Sequence, residues 1–300
     1  MTRIALPTRA PAHPAARDIL ELSKPVTWFP PMWAFGCGVV SSGVAVADRW
    51  ELLVVGIVLT GPLVCGTSQM VNDWYDRHVD AVNEPGRPIP SGRIPGSWGL
   101  WLGLTGSAVS AAVAAAAGWL VFAATLVALA LAWAYSAPPL RLKMSGWWGP
   151  LSVGLSYEGL AWFTGAAAML GGLPSAPVLA VLVLYSLGAH GIMTLNDFKA
   201  VEGDRACGIR SLPVTLGPVR AARVACWVMA VPQAAVIALL ASVGAPIAAS
   251  VVAASLLLQT LCMAKLVRDP RALAPWYNGT GVTLYVLGML ATAFGLGALA

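Results

Sequence analysis

The few charges of this 300-residue chain are gathered into short stretches, leaving long runs with none. Charge-free runs cover 25–47, 52–72, 94–140, 159–196, 224–264 and 272–300. Only 10% of the residues are charged and 58% are hydrophobic. A soluble domain carries about a quarter of its residues charged, to keep its surface in water. The composition therefore excludes a soluble enzyme, a disordered chain and, despite a pI near 9.1, a nucleic-acid binder. What remains is an all-α, polytopic membrane protein.

A hydrocarbon core about 30 Å thick takes roughly 20 apolar residues of helix per crossing. The runs of 23, 21 and 29 residues fit one crossing each, and those of 47, 38 and 41 fit two. The second of the longer runs draws its first turns from 148–158, across Glu158. Nine transmembrane helices are expected, near 26–47, 52–72, 97–117, 119–137, 148–170, 177–197, 219–242, 245–265 and 278–298. Gly118-Trp119, Gly171-Gly172-Leu173-Pro174 and Gly244-Ala245-Pro246 supply the turns inside the long runs. Residues 25–300 then form one nine-helix domain behind a cytoplasmic segment, 1–24. That segment is polar and Pro/Ala-rich, without a cleavable signal, so the first helix is expected to stay.

With the N-terminus in the cytoplasm, 17 of the 18 Lys and Arg fall on the inner side and only Arg49 outside. That bias fixes the orientation, with an odd number of spans. The five cysteines are dispersed and show no metal spacing, so they read as small packing residues.

Six of the 13 acidic residues lie in two stretches, each closing an even-numbered span on the cytoplasmic side. In the first, Asn72, Asp76 and Asp80 recur every four residues, which on a helix places them on one face, with Asp73 at its edge. In the second, Asp197 and Asp204 are seven apart and share a face, while Glu202 lies off it. Any one of these acids would pass as a cap on a span end. Two similar clusters on one side of so uncharged a chain read instead as a functional site. Converging carboxylates repel unless a cation lies between them, and an all-oxygen ligand set points to Mg²⁺ rather than Zn²⁺. Arg77 and Arg87 follow the first cluster, Lys199, Arg205 and Arg210 attend the second, and Arg141 and Lys143 lie in the loop between the fourth and fifth spans. Mg²⁺ on carboxylates completes its shell with water and phosphate oxygens, so these basic residues are candidates to bind a diphosphate, although the positive-inside bias accounts for each of them singly.

These residues carry a resemblance. Asn72-Asp73-x-x-Asp76-x-x-x-Asp80 at a span end resembles the first aspartate motif of the UbiA superfamily of intramembrane prenyltransferases, over nearly the whole chain. The strings NDWYDRHVDAVNEPGRPIPSGRIPG (72–96), YSAPPLRLK (135–143) and HGIMTLNDFKAVEGDRACGIRSLPVTLG (190–217) are similar to its chlorophyll synthase branch, and to bacteriochlorophyll synthases above all. RPIPSG (87–92) also occurs in lipid-synthesising relatives, so NDFKAVEGDR (196–205) tilts the choice. Many relatives have an Asp where this chain has Ala200, which leaves open whether Asp197, Glu202 or Asp204 holds a second metal.

The resemblance implies transfer of a C20 prenyl group, from geranylgeranyl or phytyl diphosphate, to the propionate of bacteriochlorophyllide, a Mg-chlorin. It implies Mg²⁺ on Asn72, Asp76, Asp80, Asp197, Glu202 and Asp204, with Asp73, Asp76, Asp80 and Asp204 catalytic. It further implies a place in the cell inner membrane, among lipid and beside other pigment-pathway proteins. Alternatives are a chlorophyllide-specific enzyme, a prenyltransferase for a glycerol lipid or quinone ring, and an ion-coupled transporter. Transporters, however, hold their ion ligands near the bilayer midplane on broken helices. Four more residues are candidates for the substrate pocket. Tyr135 either steadies a carbocation with its ring face or anchors a helix end. Tyr157 and Glu158 lie within the fifth span, where Glu158 is either paired or faces substrate. His190 either ligates the chlorin magnesium or packs between helices.

Overall fold

The computed structural model describes residues 13–300; the expected cytoplasmic segment 1–24 lies partly outside the described residues. Among these, the chain is helical apart from turns and one isolated bridge, Ser145 to Arg210. The helices are α1 (Ala16–Leu22), α2 (Phe29–Ser41), α3 (Trp50–Asn83), α4 (Trp98–Ala117), α5 (Trp119–Ser136), α6 (148–170), α7 (Ala176–Asp197), α8 (Val201–Ala206), α9 (Leu212–Leu216), α10 (Pro218–Ser242), α11 (Pro246–Leu266) and α12 (Pro270–Gly297).

Each of the nine expected segments is helical, but among the described residues seven helices are long and apolar enough to cross a bilayer: α3, α4, α5, α7, α10, α11 and α12. The count of nine is therefore not confirmed. Helix α2 has 13 residues. Helix α6 carries Glu158 and is interrupted by a π-helical stretch, Leu155–Leu160. Helix α3 departs most from expectation. Its 34 residues span about 51 Å at 1.5 Å per residue, far more than the hydrocarbon core, so it does not stop at residue 72. A π-helical stretch with Pro62, Leu59–Cys65, interrupts it, and the polar last turns beyond it carry Asp73, Asp76 and Asp80.

Packing relies on small residues where helices cross. A side chain on Gly38 would collide with the backbone of Trp162, and one on Gly165 with that of Phe35, so α2 and α6 approach backbone to backbone. Several polar side chains buried among the helices are paired across them, as a low-dielectric interior favours. Trp162 stacks on Tyr185 at 5.7 Å and donates to Ser41 Oγ at 2.9 Å. The Tyr285 hydroxyl donates to the Tyr185 carbonyl at 2.7 Å. Gln233 donates to Gln259 Oε1 at 2.6 Å, and Gln259 to the Gly281 carbonyl at 3.0 Å. These contacts fix α2, α6, α7, α10, α11 and α12 as one packed body.

Candidate active site

Three loops converge where α3, α5 and α7 end. The loop after α5 is tied to the loop after α8 by backbone hydrogen bonds, Gly146 N to Arg210 O at 2.9 Å and Arg210 N to Met144 O at 3.0 Å. This brings Lys143, in the first of those loops, onto Asp76 of α3, where the two form an ion pair. The turn before α2 brings Lys24 onto Asp73, Nζ to Oδ1 at 2.6 Å. Among the described residues, Lys24 (φ 48°) and Arg141 (φ 40°) are the two non-glycine residues with positive φ. Such strain persists where surrounding structure holds it, and it clusters at functional sites.

The first acidic row divides into two groups. Asn72 donates to Asp76 Oδ2 at 3.1 Å and to Ser136 Oγ at 3.2 Å, so its amide orients Asp76. Arg87 bonds Asp80 at 2.9 Å, lies 3.5 Å from Asp73 and grips Glu84 at 2.7 Å. Asp80 is thus joined to Asp73 through a shared guanidinium, rather than to Asp76 as the four-residue spacing suggested. Glu84 lies outside the helix, and its hydrogen bonds from Arg87 hold its carboxyl below the usual glutamate range. Burial pulls the Lys143 ammonium below the usual lysine range, against the opposing charge of Asp76.

The second row also differs from expectation. Helix α7 ends at Asp197 and a turn separates it from α8, with Ala200 N bonded to Asp197 O at 3.1 Å. Asp197 and Asp204 do not share one continuous helix, yet they stay close enough for Asp204 to act electrostatically on Asp197. Burial pushes the Asp204 carboxyl up from the usual aspartate range. Glu202 is exposed and pairs with Arg271 at 2.9 Å, away from the other acids. Arg77 likewise turns back on its own helix, lying 4.1 Å over the Trp74 ring and donating to the Trp74 carbonyl at 2.6 Å. Lys199 acts on Glu84, so the two rows are neighbours. Arg205 and Arg210 are exposed beside them.

Tyr135, at the end of α5, marks the meeting point. Asp76, Asp197 and Asp204 are all near enough to act on its hydroxyl. From this point a cavity of about 370 Å³ runs inward, within the 300–1,000 Å³ typical of ligand pockets. Asn72 and Asn196, the first residues of the two acidic motifs, both line it. Beyond them it follows α5 past Ala132, Ala128 and Ala124, a length of about 16 Å from Tyr135 at 1.5 Å per residue. Tyr157 forms part of its wall, its hydroxyl accepting from Gln69 Nε2 at 3.0 Å and from Cys65 Sγ at 3.2 Å. A second cavity of about 240 Å³ adjoins it, sharing Pro30, Val153, Tyr157 and Met193 and containing Glu158. His190 lines neither. It is buried against Trp147 at 5.4 Å, and both of its ring nitrogens are enclosed without partners.

The donor set suits Mg²⁺ in one particular way. Among the described residues no three His, Cys, Asp or Glu side chains gather into one ion-sized cluster. Mg²⁺, however, commonly binds one or two carboxylates together with substrate phosphates rather than an all-protein cage. Asp73 Oδ2 is buried with no hydrogen-bond partner, an oxygen still able to accept a cation. Sequence reasoning missed Lys24 as a site residue, since it carried only the signal of one more inner-side charge. It missed Ser136 and Gln69 too, because neither stands in a motif.

Fold and site together define a polytopic helical membrane protein with a charged head-group site at one face and an apolar cavity leading from it into the bundle. The chain belongs to the UbiA prenyltransferase family, whose model matches residues 28–287. It is 58% identical over 287 residues to the bacteriochlorophyll synthase 33 kDa chain of Cereibacter sphaeroides, covering 94% of each chain. It is 56% identical over 286 residues to the protein of the same name from Rhodobacter capsulatus, again covering 94% of each. In fold it is similar to a UbiA homologue from Archaeoglobus fulgidus solved bound to GPP and Mg²⁺, with a TM-score of 0.66 at 21% identity over 93% of this chain and 98% of that one.

Proposed function

We propose that this chain esterifies the propionate of bacteriochlorophyllide with a C20 prenyl group from geranylgeranyl or phytyl diphosphate, releasing diphosphate. The observation that carries this is the cavity that opens on Asn72, Asn196 and Tyr135 and continues between apolar walls. It gives room for a hydrocarbon tail, and at its mouth the lining residue Asn72 holds Asp76 of the Asp76–Lys143 pair, where a diphosphate would meet charge. Similarity to the two bacteriochlorophyll synthase chains supports the choice of acceptor.

In this reading Lys143, Arg141, Lys199, Arg205 and Arg210 surround the diphosphate and stabilise the charge that builds on it. Arg87 acts from behind, by holding Asp73 and Asp80 in place. Asp76 and Asp73 from the first motif and Asp197 and Asp204 from the second would hold Mg²⁺, which would supply further positive charge against the leaving group. The bond from prenyl C1 to the bridging oxygen breaks, and its electron pair leaves with the diphosphate. Tyr135, which lines the cavity beside the acids, is assigned to steady the positive charge that develops at C1 with its ring face. The propionate oxygen attacks C1 and forms the ester. A carboxylate with a pKa of about 4 is already ionised at neutral pH, so no general base is required. That agrees with a cavity lined, among the described residues, by no histidine: His190 is enclosed away from it and His78 is exposed.

Residues 25–300 act as one helical unit in the cell inner membrane, with 1–24 and the motif loops in the cytoplasm. The distribution of Lys and Arg supports that side. Purified protein in nanodiscs, given bacteriochlorophyllide, geranylgeranyl diphosphate and Mg²⁺, is expected to yield the esterified pigment. Chlorophyllide and geranylgeranylglyceryl phosphate serve as competing acceptors. Folded protein that esterifies no chlorin, or that prefers the glycerol lipid, would overturn the proposal.

A further inference from the structure

Glu158 is the unexplained group in the bundle. It is 9% exposed, yet among the described residues its carboxyl makes no hydrogen bond and no ion pair. An ionised carboxylate in an apolar interior is costly unless a cation meets it. The π-helical stretch Leu155–Leu160 that carries it is a device found often at functional sites. That stretch sets neighbouring residues to work in two places: Tyr157 walls both cavities, while Glu158 contributes to the second alone.

The second cavity has the character of a site for a flat, apolar molecule entering from the membrane. Phe29 and Trp33 of α2 stand on one side with ring centroids 5.7 Å apart, and Asn278 and Thr283 of α12 on the other. Phe29, Asn278 and Thr283 are exposed, so the cavity reaches the bundle surface between α2 and α12. Its shared wall with the first cavity means that an occupant here lies next to a donor bound there.

We infer that this cavity receives the Mg-chlorin acceptor and that Glu158 supplies an axial oxygen ligand to its central magnesium, directly or through one water. This rests on the acceptor reading proposed above. Magnesium is a hard cation that takes oxygen ligands, and the macrocycle leaves its axial positions open. The carboxylate then gains the cation that the bundle withholds from it. His190, the residue whose chemistry would otherwise suit that role, has both nitrogens enclosed behind Trp147 and touches neither cavity. Glu158 is thereby a specificity-determining residue: it selects acceptors that carry a metal.

The test is a binding titration of the full-length protein in nanodiscs with bacteriochlorophyllide and with its metal-free counterpart, read from the pigment absorption bands that report axial coordination. Wild type is expected to bind the magnesium pigment at least about tenfold more tightly, with a coordination shift. Glu158→Leu is expected to lose both the preference and the shift while binding the metal-free pigment and geranylgeranyl diphosphate as wild type does, which also shows that it folds. Glu158→Gln, whose amide oxygen still ligates, is expected to keep part of the preference. A Glu158→Leu protein that retains the preference and the shift would overturn the assignment, as would their loss in His190→Leu alone. Wild type that binds geranylgeranyl diphosphate but neither pigment would overturn the acceptor reading itself, and this assignment with it.

Discussion

Lys24 donates to Asp73 across 2.6 Å, linking the turn before α2 to the far end of α3, 49 residues on. The carboxylate it meets is 1% exposed, with a guanidinium, Arg87, at 3.5 Å as its other neighbour and one oxygen unpartnered. Removing the ammonium leaves a buried charge poorly compensated. Lys24→Met is expected to lower stability by about 1–3 kcal/mol, the usual cost of orphaning such a group. Thermal melting in detergent of Lys24→Met, Asp73→Asn and the double variant checks this. The double variant should melt above Lys24→Met, and strictly additive losses would show that the pair is not coupled.

The acids of the two rows are expected to matter for turnover rather than for folding. Asp76→Ala and Asp204→Ala should each lower kcat by about 10²–10³-fold or more, the scale seen when one group that stabilises developing charge is removed. Glu202→Ala, whose carboxylate pairs with Arg271 away from the site, should fall well short of that loss. Steady-state kinetics on membranes with matched protein content measures all three. Equal losses would return Glu202 to the ligand set.

The length of the first cavity along α5 sets the length of donor it accepts. Ala124 lies about 16 Å from Tyr135 along the helix and lines the inner part of the cavity. Ala124→Trp should raise KM for a C20 diphosphate by about tenfold or more and spare a C10 diphosphate. Parallel assays with the two donors decide it. An equal effect on both would mean that the tail runs elsewhere.

Helix α1 is fastened to the loop before α4 by Arg93, which bonds Asp18 at 2.5 Å and Glu21 at 2.6 and 2.7 Å. The hydrogen bonds from Arg93 hold Glu21 below the usual glutamate range. A lowered carboxylate contributes fully above its ordinary pKa of about 4.3 and loses its effect as pH falls through the lower folded value. Protease resistance of the segment before α2 should therefore be flat from about pH 8 to 5 and fall only below about 4.3. Arg93→Ala should remove it at every pH.

How far the sequence could be read follows from which forces act locally. Helix positions were legible because a bilayer punishes charge, so the charge-free runs mark α4, α5, α7, α10 and α11 to within a residue or two. Where α3 stops was not, since charge ends the apolar run at 72 while the helix continues to Asn83, and the contacts from Lys24, Arg87 and Lys143 that hold this end come from distant segments. The motif acids were legible as a group, but their pairing was not. Spacing on an ideal helix cannot anticipate that Arg87 draws Asp80 to Asp73, or that Arg271 draws Glu202 away. The role of Glu158 depends on a cavity assembled from α2, α6, α7 and α12, and no local pattern encodes that.

The most direct test of the transfer itself is the fate of the acceptor oxygens. Bacteriochlorophyllide labelled with ¹⁸O at both propionate oxygens, turned over with geranylgeranyl diphosphate and analysed by mass spectrometry, is expected to give an ester retaining both labels and unlabelled diphosphate. That is the outcome if the prenyl C1–O bond breaks and the propionate attacks. An ester that has lost one label would mean that the acyl carbon is the centre attacked, and would contradict the account.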